Sequence, residues 1–85
     1  MAERQVGFVA HYFGNVGIAG VMLTEGELSV GDLIHIKGQV SDLTTRVQSI
    51  QLNHVAVERA RRGDNVGIMV PGHVRDRDRV FKVVP

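Results

Sequence analysis

Five consecutive residues, Arg75-Asp76-Arg77-Asp78-Arg79, alternate in sign, and an extended backbone would aim three guanidinium groups one way and two carboxylates the other. As a solvated loop, the segment would hold mutual ion pairs worth ~0–1 kcal/mol each. Joined with Arg59, Arg61 and Arg62, the same arginines would form a patch for RNA phosphate, because the planar guanidinium fork matches phosphate oxygens. The charge distribution favours looking there. Residues 1–42 carry two basic against five acidic groups, whereas residues 43–85 carry eight basic against four acidic, seven of the eight being arginine. The formal net charge of +1 therefore conceals an acidic first half and an arginine-rich second half suited to an anionic partner.

Other candidate chemistry fails on spacing. Gly26-Glu27-Leu28-Ser29-Val30-Gly31 has the glycine spacing of a phosphate-binding loop, but Asp32-Leu33 stand where a lysine and a hydroxyl residue are needed. The aspartate would repel phosphate, so the segment reads as a turn. His11, His35, His54 and His73 fall on four different segments with no close pair, and there is no cysteine; no metal site is expected, and solvated strand faces and loops account for the histidines. Ser29, Ser41 and Ser49 lie in no nucleophile-elbow context, and no carboxylate pair has an acid/base setting, so no catalytic residue and no cofactor are expected. Phe8, Tyr12, Phe13 and Phe81 are the whole aromatic complement and are expected mostly in the core, which disfavours a base-stacking platform.

These groups must be positioned by a small scaffold. With 85 residues the chain would bury about 60–65% of its unfolded surface, enough for one domain over residues 1–85 and too little for a nucleotide-binding domain as well. The 44% hydrophobic content suits a folded domain. The sequence contains no apolar run of signal or membrane-span length, so the cytoplasm is the expected compartment.

The apolar pattern reverses every 8 to 12 residues between glycines, the rhythm of short antiparallel strands. Strands are predicted at 4–13 and 16–24, joined by Gly14-Asn15 with positive φ in a tight turn, then at 33–37, 43–53, 65–70 and 79–83. Leu28-Ser29-Val30 is a short extended piece. In 43–53, Leu43, Thr45 and Val47 share one face while Ile50 and Leu52 have the opposite parity, which predicts a β-bulge near Gln48-Ser49. Residues 54–62 could hold a helical turn stopped by Gly63. The fold expected is all-β, a small six-stranded closed antiparallel β-barrel, since closure removes unpaired edges.

The blocks Gly17-Ile18-Ala19-Gly20-Val21, Gly26 to Asp32, Ile34 to Gly38, Val47 to Leu52 and Ala60 to Ile68 resemble the second-domain β-barrel of translational GTPases such as elongation factor Tu. The chain is similar to stand-alone elongation-factor-like proteins and, through His11-Tyr12-Phe13 and Ser49-Ile50-Gln51, to the C-terminal barrel of the collagenase-like peptidase family. The resemblance implies the translation-protein barrel and a surface comparable to the one that holds the aminoacylated 3′ end of tRNA. At its positions Gln51 stands for the family's glutamate, His54 for the arginine of bacterial members, and Asn65 keeps the family's asparagine. The function expected is a non-enzymatic, translation-factor-like module that binds tRNA or ribosomal RNA, or a ribonucleoprotein, through its arginine-rich face. The alternative is a protein-interaction adaptor docking on a separately encoded GTPase or RNA-modifying enzyme.

Overall fold

A computed structural model describes residues 2–84. Ten strands follow one another: β1 Ala2–Phe13, β2 Ile18–Leu23, β3 Leu28–Ser29, β4 Leu33–Lys37, β5 Asp42–Arg46, β6 Ile50–Leu52, β7 Val55–Val57, β8 Arg59–Ala60, β9 Asn65–Met69 and β10 Arg79–Val84. Alternation decides their faces. Ala19, Val21 and Leu23 of β2, Ile34 and Ile36 of β4 and Val66 and Ile68 of β9 are buried, while the residues between them turn to the outer face. These side chains form one core with Val6, Val9, Leu28, Ile50 and Val80, each large aliphatic contributing about 1.5–3 kcal/mol by leaving water.

Eight strands form one antiparallel sheet in the order β5-β4-β10-β1-β2-β9-β6-β7, and β3 and β8 pair separately. The fold is all-β, but the ladder ends at β5 and at β7 instead of closing, so the expected six-stranded closed barrel is not found. Both edge strands are short, which limits the unpaired backbone they present. No helix among the described residues is long and apolar enough to cross a membrane.

Local expectations change where the chain bends. The bulge expected at Gln48-Ser49 is a break: β5 stops at Arg46, β6 starts at Ile50, and buried Val47 between them exchanges backbone bonds with Gly31 and Asp32. Bulges lie instead in β1, where pairing shifts between Gln5 and Gly7 and again between Val9 and His11. They let one long strand serve β10 and then β2. Residues 54–62 form no helical turn but the strands β7 and β8; Asn53 and His54 make the two-residue hairpin turn, with φ of 52° and 64°. The β1–β2 loop runs from Gly14 to Gly17, and its positive φ falls on Gly17 rather than on Gly14-Asn15. None of the four aromatic side chains is fully buried: Tyr12 packs against the core, Phe8 and Phe81 are half-buried, and Phe13 is exposed.

Candidate functional site

Three turns in this chain have the same construction. In Ser29–Asp32, Arg61–Asp64 and Arg75–Asp78, the aspartate's Oδ2 accepts the N–H of the first residue at 2.8, 2.9 and 2.9 Å. The aspartate's own N–H returns to the first residue's carbonyl at 3.1, 3.0 and 3.2 Å. The third residue of each turn takes positive φ: Gly31 at 96°, Gly63 at 96° and Arg77 at 75°. Glycine adopts this conformation freely, whereas a residue with a Cβ is strained there by about 1–2 kcal/mol. Arg77 is therefore an arginine where the two sister turns have glycine.

The surroundings fix this third turn. Arg77 N–H donates to the Val9 carbonyl and Val9 N–H donates to the Asp78 carbonyl, both at 2.7 Å, which ties the turn to β1. Val74 just before it is buried in the core. Asp78 is itself buried, and its Oδ1 lies against the Cα of Gly38, where any Cβ would collide with it. The segment is thus not extended but a pinned turn, in which Arg75, Asp76, Arg77 and Arg79 are exposed, as a solvated loop would have them, and Asp78 alone is buried.

Between this turn and the Gly38–Ser41 loop runs a groove of about 760 Å³, lined by Lys37, Gln39, Val40, Arg75, Arg77, Arg79 and Phe81 among others. Lys37 and Arg79 are direct cross-strand neighbours, an arrangement of like charges that costs stability. Asp76 and Asp78 also line the groove, but among the described residues neither they nor Asp42 form an ion pair with these cations. Asp76 faces His11 at 3.8 Å, Asp78 caps its turn, and Asp42, opposite Lys37, bonds His35. Among the described residues, Lys37, Arg75, Arg77 and Arg79 form no ion pair.

Beside the groove, His35 is clamped rather than solvated. Its Nδ1 lies 2.9 Å from Glu3 Oε2 and its Nε2 lies 2.5 Å from Asp42 Oδ1, so β1, β4 and β5 are joined across the outer face. The bond to Asp42 raises the imidazole pKa above its ordinary 6.5; burial pulls it down, and the bond to Glu3 and the charges of both carboxylates raise it again. With both nitrogens facing carboxylates, the clamp favours the protonated ring, in which both nitrogens donate. Among the described residues, no group of three or more His, Asp or Glu side chains could hold a metal ion.

The remaining sequence candidates lie elsewhere. Arg59 is on β8 beside a shallow hollow with Ser29, Val30 and Glu58, and Arg62 lines another with Arg4, Glu25 and Glu27. Arg61 gives its backbone N–H to Asp64. The structure thus gathers Arg75, Arg77 and Arg79 and sets Arg59 and Arg62 in hollows of their own. Gln51 of β6 pairs with Gly67, two residues from Asn65 on β9, so Gln51 and Asn65 share the outer sheet face; His54 is in the β6–β7 turn. Sequence reasoning missed Lys37 and the capping role of Asp78, although the repeated Gly31-Asp32 and Gly63-Asp64 pairs mark two of the three turns.

The antiparallel all-β architecture is shared with solved structures. The C-terminal domain of the Geobacillus thermoleovorans putative U32 peptidase superposes with a TM-score of 0.85 at 21% identity, covering 93% of this chain and 91% of that one; its selenomethionine variant gives 0.84. GDP-bound aIF5B from Aeropyrum pernix shares the fold with a TM-score of 0.65 at 23% identity over 98% of this chain and 14% of that one. In sequence, the chain is 35% identical over 78 residues to an uncharacterized protease of Methanocaldococcus jannaschii, and 33% identical over 85 residues to a collagenase of Porphyromonas gingivalis. These matches take in 91% and 95% of this chain but only 19% and 20% of the relatives, so the chain spans about a fifth of their length. No family model matches.

The names attached to these sequence relatives are protease and collagenase. They overturn the expectation of a translation-factor-like module binding tRNA or ribosomal RNA. The adaptor for a GTPase or RNA-modifying enzyme gains no support either. The resemblance to translation-factor barrels survives only as likeness of fold, through aIF5B.

Proposed function

We propose that the chain is a non-catalytic accessory domain of the U32 peptidase type, a single binding domain that works beside catalytic residues carried elsewhere. One observation carries the reading: nearly the whole chain matches a fifth of proteins named protease or collagenase, and the same fold forms the C-terminal domain of the Geobacillus thermoleovorans putative U32 peptidase. The site geometry agrees with it. The groove offers four cations and no nucleophile poised against a base, which suits holding a ligand better than cleaving one.

The test is a graft. The isolated chain should release no peptides from collagen. Placed in the Porphyromonas gingivalis collagenase in exchange for the matched stretch, it should restore cleavage lost when that stretch is deleted. Hydrolysis by the isolated chain, or a graft no more active than the deletion, contradicts the reading.

A further inference from the structure

We propose that the groove between the Gly38–Ser41 loop and the Arg75–Arg79 segment binds an acidic peptide segment, with its carboxylates taken by Lys37, Arg75, Arg77 and Arg79. The proposal rests on the reading of the chain as a binding domain, but it begins from an outlier of backbone geometry. Two of the three aspartate-capped turns place glycine at the positive-φ position, and the third places Arg77 there at 75°. Residues held at positive φ by their surroundings cluster at functional sites, and Arg77, unlike Asn53 and His54 of the two-residue hairpin, stands where equivalent turns of this chain have glycine. Arg77 lines the groove with three further cations, none of them in an ion pair among the described residues, and two of these, Lys37 and Arg79, are direct neighbours. Four cations outnumber the two aspartates of the lining, an excess of like charge that an anionic ligand would relieve.

The groove fits carboxylates on a peptide better than a continuous phosphate chain. Asp76, exposed at its rim, and Asp78 interrupt the positive field, which repels closely spaced phosphates but leaves room between separated carboxylates. No exposed aromatic lines it for base stacking, since Phe81 is half-buried beside His35. Gln39 and exposed Val40 supply the amide and the apolar contact that a peptide uses between its charged positions. Charge-assisted bonds from arginine to carboxylate are frequently bidentate and are the strong ones of their kind.

The experiment titrates the full 85-residue chain with a fluorescein-labelled octapeptide alternating glutamate and glycine, followed by fluorescence anisotropy at low salt. The glutamine version of the peptide and an eight-nucleotide oligouridylate serve as alternative ligands. Arg77→Gly should weaken binding of the glutamate peptide by about fivefold or more while leaving the melting temperature equal or higher, because glycine suits the turn. Arg79→Ser should weaken it similarly, and Arg62→Ser, in a different hollow, should bind like the parent. Parent-like affinity in both Arg77→Gly and Arg79→Ser, equal binding of the glutamine peptide, or tighter binding of the oligouridylate would overturn the proposal. Because the titration uses the isolated chain, its failure is separable from failure of the collagenase graft.

Discussion

The turns Arg61–Asp64 and Arg75–Asp78 are made with the same two hydrogen bonds, yet they differ in what occupies the left-handed position. At Gly63 nothing lies within 4 Å of where a Cβ would stand, so glycine is there for its backbone alone. At Arg77 the same backbone carries a long cationic side chain into a groove. The first turn follows local preference, and the second departs from it at a site that gathers charge. A departure from local consistency confined to one of several equivalent positions points to binding rather than to folding.

The largest expected effect comes from the support under the second turn. Gly38→Ala places a methyl group against the buried Asp78 carboxylate, and displacing that cap should cost about 2–3 kcal/mol in denaturant unfolding. The Arg61–Asp64 turn is tied to β2 in the same way, Gly63 N–H donating to the Leu23 carbonyl and Leu23 N–H to the Asp64 carbonyl, but nothing lies where a Gly63 Cβ would stand, so Gly63→Ala should cost only about 1 kcal/mol, the strain of the left-handed backbone itself. If the two substitutions proved equally costly, the buried carboxylate would not be what distinguishes the turns.

A smaller effect concerns the clamp beside the groove. Protonated His35 is favoured in the folded state, so its contribution is fully present below the unfolded pKa and is lost as pH rises through the raised folded value. The melting temperature should therefore fall as pH rises above the ordinary imidazole value of 6.5, by an amount that His35→Gln abolishes. An unchanged pH slope in that variant would show that the two carboxylates do not hold the imidazolium.

Much of the fold was legible in the sequence, because period-two alternation in β2, β4 and β9 reports directly which residues reach the core. Closure was not, since the ladder depends on which strands pair across long separations and not on their pattern. The parity change between Val47 and Ile50 was visible, but a bulge and a break produce the same change of phase. Asn53-His54 was missed as a turn because Val55, Val57 and Ala60 suggested a helical face over residues 54–62, whereas paired positive φ values closed a hairpin. At the site, the Arg75–Arg79 alternation drew attention to the right segment for the wrong geometry. Its bend depends on burial of Asp78 and on bonds to Val9, contacts between residues far apart in the chain. The His35 clamp was hidden for the same reason, its partners lying 32 and 7 residues away.

The central claim is that Arg77 is kept at a cost to the fold. Equilibrium unfolding of Arg77→Gly in urea tests it most directly. The account predicts a variant more stable than the parent by about 0.5–1 kcal/mol, the strain relieved less the greater chain entropy of glycine. A variant less stable than the parent would mean that the Arg77 side chain holds the turn together, and the contrast with Gly63 would lose its meaning.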